Sequence, residues 1–205
     1  MEPRVEADWE VEIGGGAPVI EADWPAVPAS PAVPGCSGYI DLRSHPERIA
    51  QLPEAVAFPP LARLLLALNA PASPLYTSKC DLWQPEPNAL ACYIDLLPHE
   101  AKVFAQRQQA ETFCREYVAR LSSAQPQSAP ELSPVSSVAL VIRQAIAGPA
   151  DGFGITAYLA AHAASQSHPA APQPATDHAL ALLMLAFADA LPPCAPPAAA
   201  HSKLQ

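Results

Sequence analysis

The sequence predicts an α+β domain with a mainly antiparallel sheet, built from three strand-strand-helix units whose helices pack on one face. Three observations carry this expectation. Strand-like alternation and helix-like spacing follow each other in a repeated order along the 205 residues. Breaks at 14–16, 84–88 and 148–152 separate paired strand-like segments and read as hairpin connections, which favour antiparallel pairing. The chain also echoes itself. Cys36-Ser37-Gly38-Tyr39-Ile40-Asp41-Leu42, with His45 and Glu47 behind it, returns as Cys92-Tyr93-Ile94-Asp95-Leu96 followed by His99 and Glu100. Glu6-Ala7-Asp8-Trp9 returns as Glu21-Ala22-Asp23-Trp24.

In the first unit, Trp9-Glu10-Val11-Glu12-Ile13 alternates apolar and charged residues, the period of a half-buried strand. Gly14, Gly15 and Gly16 form a turn, and 19–24 returns as the second arm of a hairpin. Residues 39–43 read as a further short strand. Leu61, Leu64, Leu65 and Leu68 then fall at helical spacing, and Asn69 and Pro71 stop that helix. His45 and His99 each follow a Tyr-Ile-Asp-Leu segment and precede an acid, so both are expected to open a helical turn, where an acid complements the helix dipole.

The second unit has strands at 76–83 and 91–97 and a helix with Ala110, Phe113, Cys114, Tyr117 and Leu121 along one stripe. The third has strands at 138–146 and 153–159. Its helix opens at Thr176 as N-cap and buries Leu180, Leu183, Met184 and Phe187.

Residues 1–191 read as a single domain with a Pro-rich insertion at 25–34, and 192–205 as a disordered Pro/Ala-rich tail. Proline at 25, 28, 31 and 34 matches the three-residue turn of polyproline II, which suits either a docking ligand or a stiff spacer. Further loops are expected at 124–134 and 165–175.

Twenty acidic residues against eleven basic ones give a net charge of −9. That balance repels a phosphate backbone, so nucleic acid is not expected as a partner. The five cysteines, at 36, 80, 92, 114 and 194, include no C-x-x-C pair and read as reduced thiols of a cytoplasmic protein. No secretory signal follows Met1, and no apolar run approaches the roughly 20 residues of a membrane span, so no membrane partner is expected.

No G-x-G-x-x-G, Walker loop or G-x-S-x-G elbow occurs, and no cofactor is expected. The six histidines show no ligand spacing, and no metal is expected. Cys80 and Cys92 fall on the inward face of adjacent strands, the setting of apolar fillers rather than nucleophiles.

The polar residues of the second and third hairpins are more informative. Strand alternation sends Tyr76, Ser78, Cys80 and Leu82 to one face and Thr77, Lys79, Asp81 and Trp83 to the other. Cys92, Ile94, Leu96, Leu140, Ile142, Ile155, Ala157 and Leu159 would join the first face. The helix-free face would then gather Lys79, Asp81, Trp83, Tyr93, Asp95, Arg143 and Tyr158 as candidate ligand-binding residues. Aromatic bodies with polar tips beside converging charges are what a binding site uses. The same neighbours also serve as ordinary cross-strand stabilisers.

Two functions fit. One is a non-enzymatic binding or accessory protein that docks a protein partner, or a second copy of itself, through an open sheet face. The other is a small cofactor-free enzyme acting on an anionic small molecule, with Lys79 or Arg143 holding the anion and Asp81 or Asp95 moving a proton.

Overall fold

Apolar side chains at every second strand position and at helical spacing in the helices meet in one layer. The computed structural model describes residues 4–12, 18–20, 40–86, 89–100, 104–123, 135–147, 150–162 and 173–191. The Pro-rich insertion 25–34, the tail 192–205, the predicted loop 124–134, most of the loop 165–175, Cys36 and Cys194 lie outside these residues. Among the described residues no helix is long and apolar enough to cross a membrane.

The strands are β1 (Arg4–Val11), β2 (Val19–Ile20), β3 (Leu75–Trp83), β4 (Ala89–Pro98), β5 (Val135–Ala147) and β6 (Ala150–His162). The helices are α1 (Pro53–Ala57), α2 (Pro59–Leu68), α3 (Arg107–Ser123) and α4 (Gln173–Asp189), with a 3-10 turn at Pro46–Gln51. The lateral strand order is β1-β5-β6-β4-β3, and β2 also pairs with β5.

The fold is α+β, but the sheet is mixed rather than mainly antiparallel. β3 with β4, β4 with β6, and β5 with β6 run antiparallel. β1 and β2 both run parallel to β5 and therefore to each other. Arms of a hairpin would run oppositely, so the predicted first hairpin does not form. Both segments lie along the same edge of β5, β1 beside 135–142 and β2 beside 145–146. The first strand-strand-helix unit is thereby lost. The orders β3-β4-α3 and β5-β6-α4 are present.

Residues 40–45 form a turn rather than the predicted strand. The Asp41 carboxylate accepts from the Arg43 backbone N–H at 3.0 Å and from Ser44 Oγ at 3.0 Å, and the Asp41 carbonyl accepts from His45 N at 2.9 Å. Such local bonds offer the backbone an alternative to a sheet ladder. His45 does precede the 3-10 turn, with Glu47 in its first turn. The His99 N–H bonds the Pro74 carbonyl at 3.0 Å, residues 101–103 behind it lie outside the described residues, and α3 starts at Arg107. Helix α4 begins at Gln173, before Thr176, which is buried inside it.

Pro59 and Pro60 start α2, where a missing N–H costs nothing, and Leu61, Leu64, Leu65 and Leu68 are its buried stripe. Ala110, Cys114, Tyr117 and Leu121 do the same for α3. All of these pack with Leu180, Leu183, Met184 and Phe187 of α4 against Cys92, Ile94, Leu96, Leu140, Ile142, Ile155, Ala157 and Leu159 of the sheet. The Tyr117 hydroxyl donates to the Phe187 carbonyl, tying α3 to α4 inside this core. Val5, Ala7 and Trp9 of β1 lean on it from the edge. A second, small cluster holds Val19, Tyr76, Leu97 and Ala145, all strand residues.

Candidate functional site

Strand alternation leaves the other sheet face to the residues between those core positions. Register then orders them in rows across five strands. One row runs Glu6, Ser137, Ala160, Ala91, Trp83. The next runs Asp8, Ala139, Tyr158, Tyr93, Asp81, and the one after it Glu10, Val141, Thr156, Asp95, Lys79. Arg143 follows Val141 on the same face, opposite Gly154. All seven residues singled out from the sequence therefore share one face.

The agreement ends at an irregularity that the sequence does not announce. The β3–β4 register shifts between Thr77 and Lys79, leaving Ser78 as the extra residue of a bulge. Tyr76 thus lies opposite Leu97, on the helix-free side, and Thr77 lies opposite Leu96, on the helix side. Both were assigned to the wrong face by strict alternation. Asn69, at the end of α2, holds Thr77 there. Its Nδ2 donates to Thr77 Oγ1 at 2.7 Å and to the Leu65 carbonyl at 2.8 Å, and its Oδ1 accepts from Thr77 N at 3.2 Å.

The face is not uniformly open. At the end near the second cluster, Val141, Thr156 and Asp95 are 3%, 1% and 8% exposed. Gly154 lets Val19 settle on this end, since an added Cβ would meet Val19 Cβ at 2.9 Å and the Leu96 carbonyl oxygen at 3.0 Å. The buried Asp95 carboxylate accepts from Thr156 Oγ1 at 2.6 Å. At the opposite end Asp8, Ala139, Asp81 and Trp83 are exposed, with Tyr93 and Tyr158 half-buried among them.

An aromatic row crosses three strands at this open end. Trp83 and Tyr93 have ring centroids 6.2 Å apart, and Tyr93 and Tyr158 are 6.4 Å apart, both tilted. Arg143 closes the row. Its Nη2 donates to the Tyr158 hydroxyl at 3.2 Å and to Glu12 Oε2 at 2.8 Å, and its Nε reaches the same oxygen at 3.1 Å. Burial opposes the Arg143 charge, but Tyr158 and Glu12 more than offset it, and its pKa is raised. Burial, then the nearby Asp95 and Asp81 carboxylates, raise the Tyr93 pKa, so its phenol holds its proton.

A second group lies at the far end of β3. The Arg43 guanidinium sits 4.0 Å from the Tyr76 ring centroid and donates from Nε to Asp41 Oδ1 at 2.9 Å, and His99 packs 5.4 Å from Tyr76. Burial, then the Arg43 charge, lower the His99 pKa, although Asp41 opposes them. The folded chain thus binds this proton less readily than the unfolded chain. The group contributes stability above its ordinary value of 6.5 that is lost as pH falls through the lowered folded value. Arg43→Gln is expected to move the His99 titration, followed by NMR, toward 6.5. An unchanged midpoint would remove Arg43 from this account.

Glu12, Tyr76, Arg43 and His99 were missed from the sequence. Glu12 was visible as an alternating strand acid, but the expected hairpin hid its approach to Arg143. The other three depend on the Ser78 bulge and the Asp41 turn.

Cys80, Cys92 and Cys114 are unpaired thiols. Burial pushes Cys80 and Cys114 up to about 12 and Cys92 higher still, which makes them poor nucleophiles. Among the described residues no group of three or more His, Cys, Asp or Glu could hold a metal ion. Comparison with protein-family models, curated proteins and solved structures gives no match.

Proposed function

We propose that this chain is a binding or accessory protein of the cytoplasm that docks a protein partner through the open end of its helix-free sheet face. The observation that carries this reading is the row Trp83, Tyr93 and Tyr158 on a face from which the described helices are absent. Half-exposed aromatic rings at the centre of a patch supply large contact area with little conformational freedom to lose, which is why they dominate docking surfaces. An enzyme acting on an anionic molecule is the weaker reading. Arg143 is already held by Glu12 and Tyr158, Asp95 is buried against Thr156, and the described thiols are poor nucleophiles.

A photo-crosslinking side chain at Tyr158 tests the proposal in cells. Discrete heteromeric adducts are expected, absent when the same group replaces the exposed α3 residue Glu116. Equal adducts from both positions, or none from Tyr158, would contradict docking through this face.

A further inference from the structure

Carboxylates flank the aromatic row on both sides. Glu6, Asp8 and Glu10 line the β1 side and are exposed, and Asp81 is exposed at the β3 side of the Tyr158–Tyr93 row. Strands in a sheet lie about 4.8 Å apart, so Asp8 and Asp81, four strands apart in one row, stand roughly 19 Å from each other. Between them in that row lie Ala139, Tyr158 and Tyr93, and the neighbouring row holds the short side chains Ser137, Ala160 and Ala91. Of the two cations among the seven candidate residues, Arg143 is engaged with Glu12, and Lys79 lies opposite Asp95 on the β3 edge.

One ring of the row already receives a cation: Arg143 lies 6.0 Å from the Tyr158 centroid. A π-face between separated carboxylates attracts a chain bearing several ammonium or guanidinium groups. Some of these pair with the acids while another lies over a ring.

We propose that the occupant of this face is a lysine- or arginine-rich segment of a partner protein, laid across the strands from the β1 carboxylates to Asp81. The proposal rests on the docking reading above and adds the chemistry of the partner. Acids on an edge strand also guard against sheet-to-sheet aggregation, a role that requires no binding of a basic chain. The two roles differ in what the acids bind and in how far their position matters.

Fluorescence anisotropy of the full chain with labelled octalysine, at low salt, separates them. Binding is expected to weaken about tenfold or more when salt is raised to roughly 0.3 M, as for exposed charges. The double variant Asp8→Asn with Glu10→Gln should weaken it at least about fivefold, and Tyr158→Leu about threefold. Labelled octaglutamate should not bind. Glu116→Gln with Asp189→Asn removes the same charge from the helix side, at exposed positions, and should change affinity by less than about twofold. Equal loss from both double variants would show diffuse attraction to an acidic protein and overturn the proposal. So would no octalysine binding, or preference for octaglutamate. Circular dichroism confirms that each variant is folded, and Asp8→Asn alone serves if the double variant is not. The crosslink at Tyr158 reports separately. Adducts there without octalysine binding would reject the basic partner and keep the docking face. Self-association seen by sedimentation, lost with Tyr158→Leu, would assign the face to a second copy and also reject the basic partner.

Discussion

Gly154→Val is expected to destabilise the protein by about 3 kcal/mol, at the upper end of what overpacking a filled site costs. Gly154 is buried in β6, between β5 and β4. Its missing Cβ leaves the space in which Val19 rests, and one of the two closest atoms is the backbone oxygen of Leu96, 3.0 Å away. A flexible side chain could yield, but a strand carbonyl in the ladder cannot without breaking register. The added γ-methyls of valine enlarge the clash. Urea unfolding measures the loss. Val19→Ala placed in the Gly154→Val background should restore part of it, because Val19 is the movable obstruction and Leu96 is not. An unchanged midpoint for Gly154→Val would mean that Val19 does not rest against Gly154, and with it that the covered end of the face is wrongly placed.

Leu159→Ala is expected to cost about 2–5 kcal/mol, the range for truncating a fully buried leucine. Leu159 is 0% exposed in β6, in register with Cys92 on one side and Val138 on the other, and belongs to the core beneath the helices. Its neighbour in sequence, Tyr158, faces the other way and is half-buried. Tyr158→Leu should therefore cost far less, about 1 kcal/mol or under, despite removing a larger polar group. A larger loss from Tyr158→Leu than from Leu159→Ala would invert β6 and scatter the aromatic row.

Helices α2, α3 and α4 and the two hairpins are legible because their signals are local, whereas the five-residue α1 carries no such signal. Four leucines at helical spacing with Asn69 behind them delimit α2, and β5–β6 shows inward Leu140, Ile142, Ile155 and Leu159 against outward Arg143 and Tyr158. The parallel edge was not legible. Gly14 to Gly16 between two alternating segments carries a hairpin signal, and only the tertiary pairing of both segments with β5 overrides it. The echo of Tyr-Ile-Asp-Leu misled for a related reason. Around Asp95 it is strand, with the carboxylate bonded across to Thr156, whereas around Asp41 the carboxylate bonds its own following residues and makes a turn. The seven candidate residues share one sheet face because each lies past the Ser78 bulge or on a regular strand. The grouping of Tyr76 with Arg43 and His99, and the burial that separates Asp95 from the open aromatic end, required the three-dimensional register.

The most direct test of the central claim is a titration of isotope-labelled protein with octalysine, followed by backbone amide and tyrosine ring shifts. The expected result is a contiguous set of changes at Asp8, Glu10, Ala139, Tyr158, Tyr93 and Asp81, with α3 and α4 unmoved. Shifts spread over exposed carboxylates on the helix side, or centred on α3, would contradict the account.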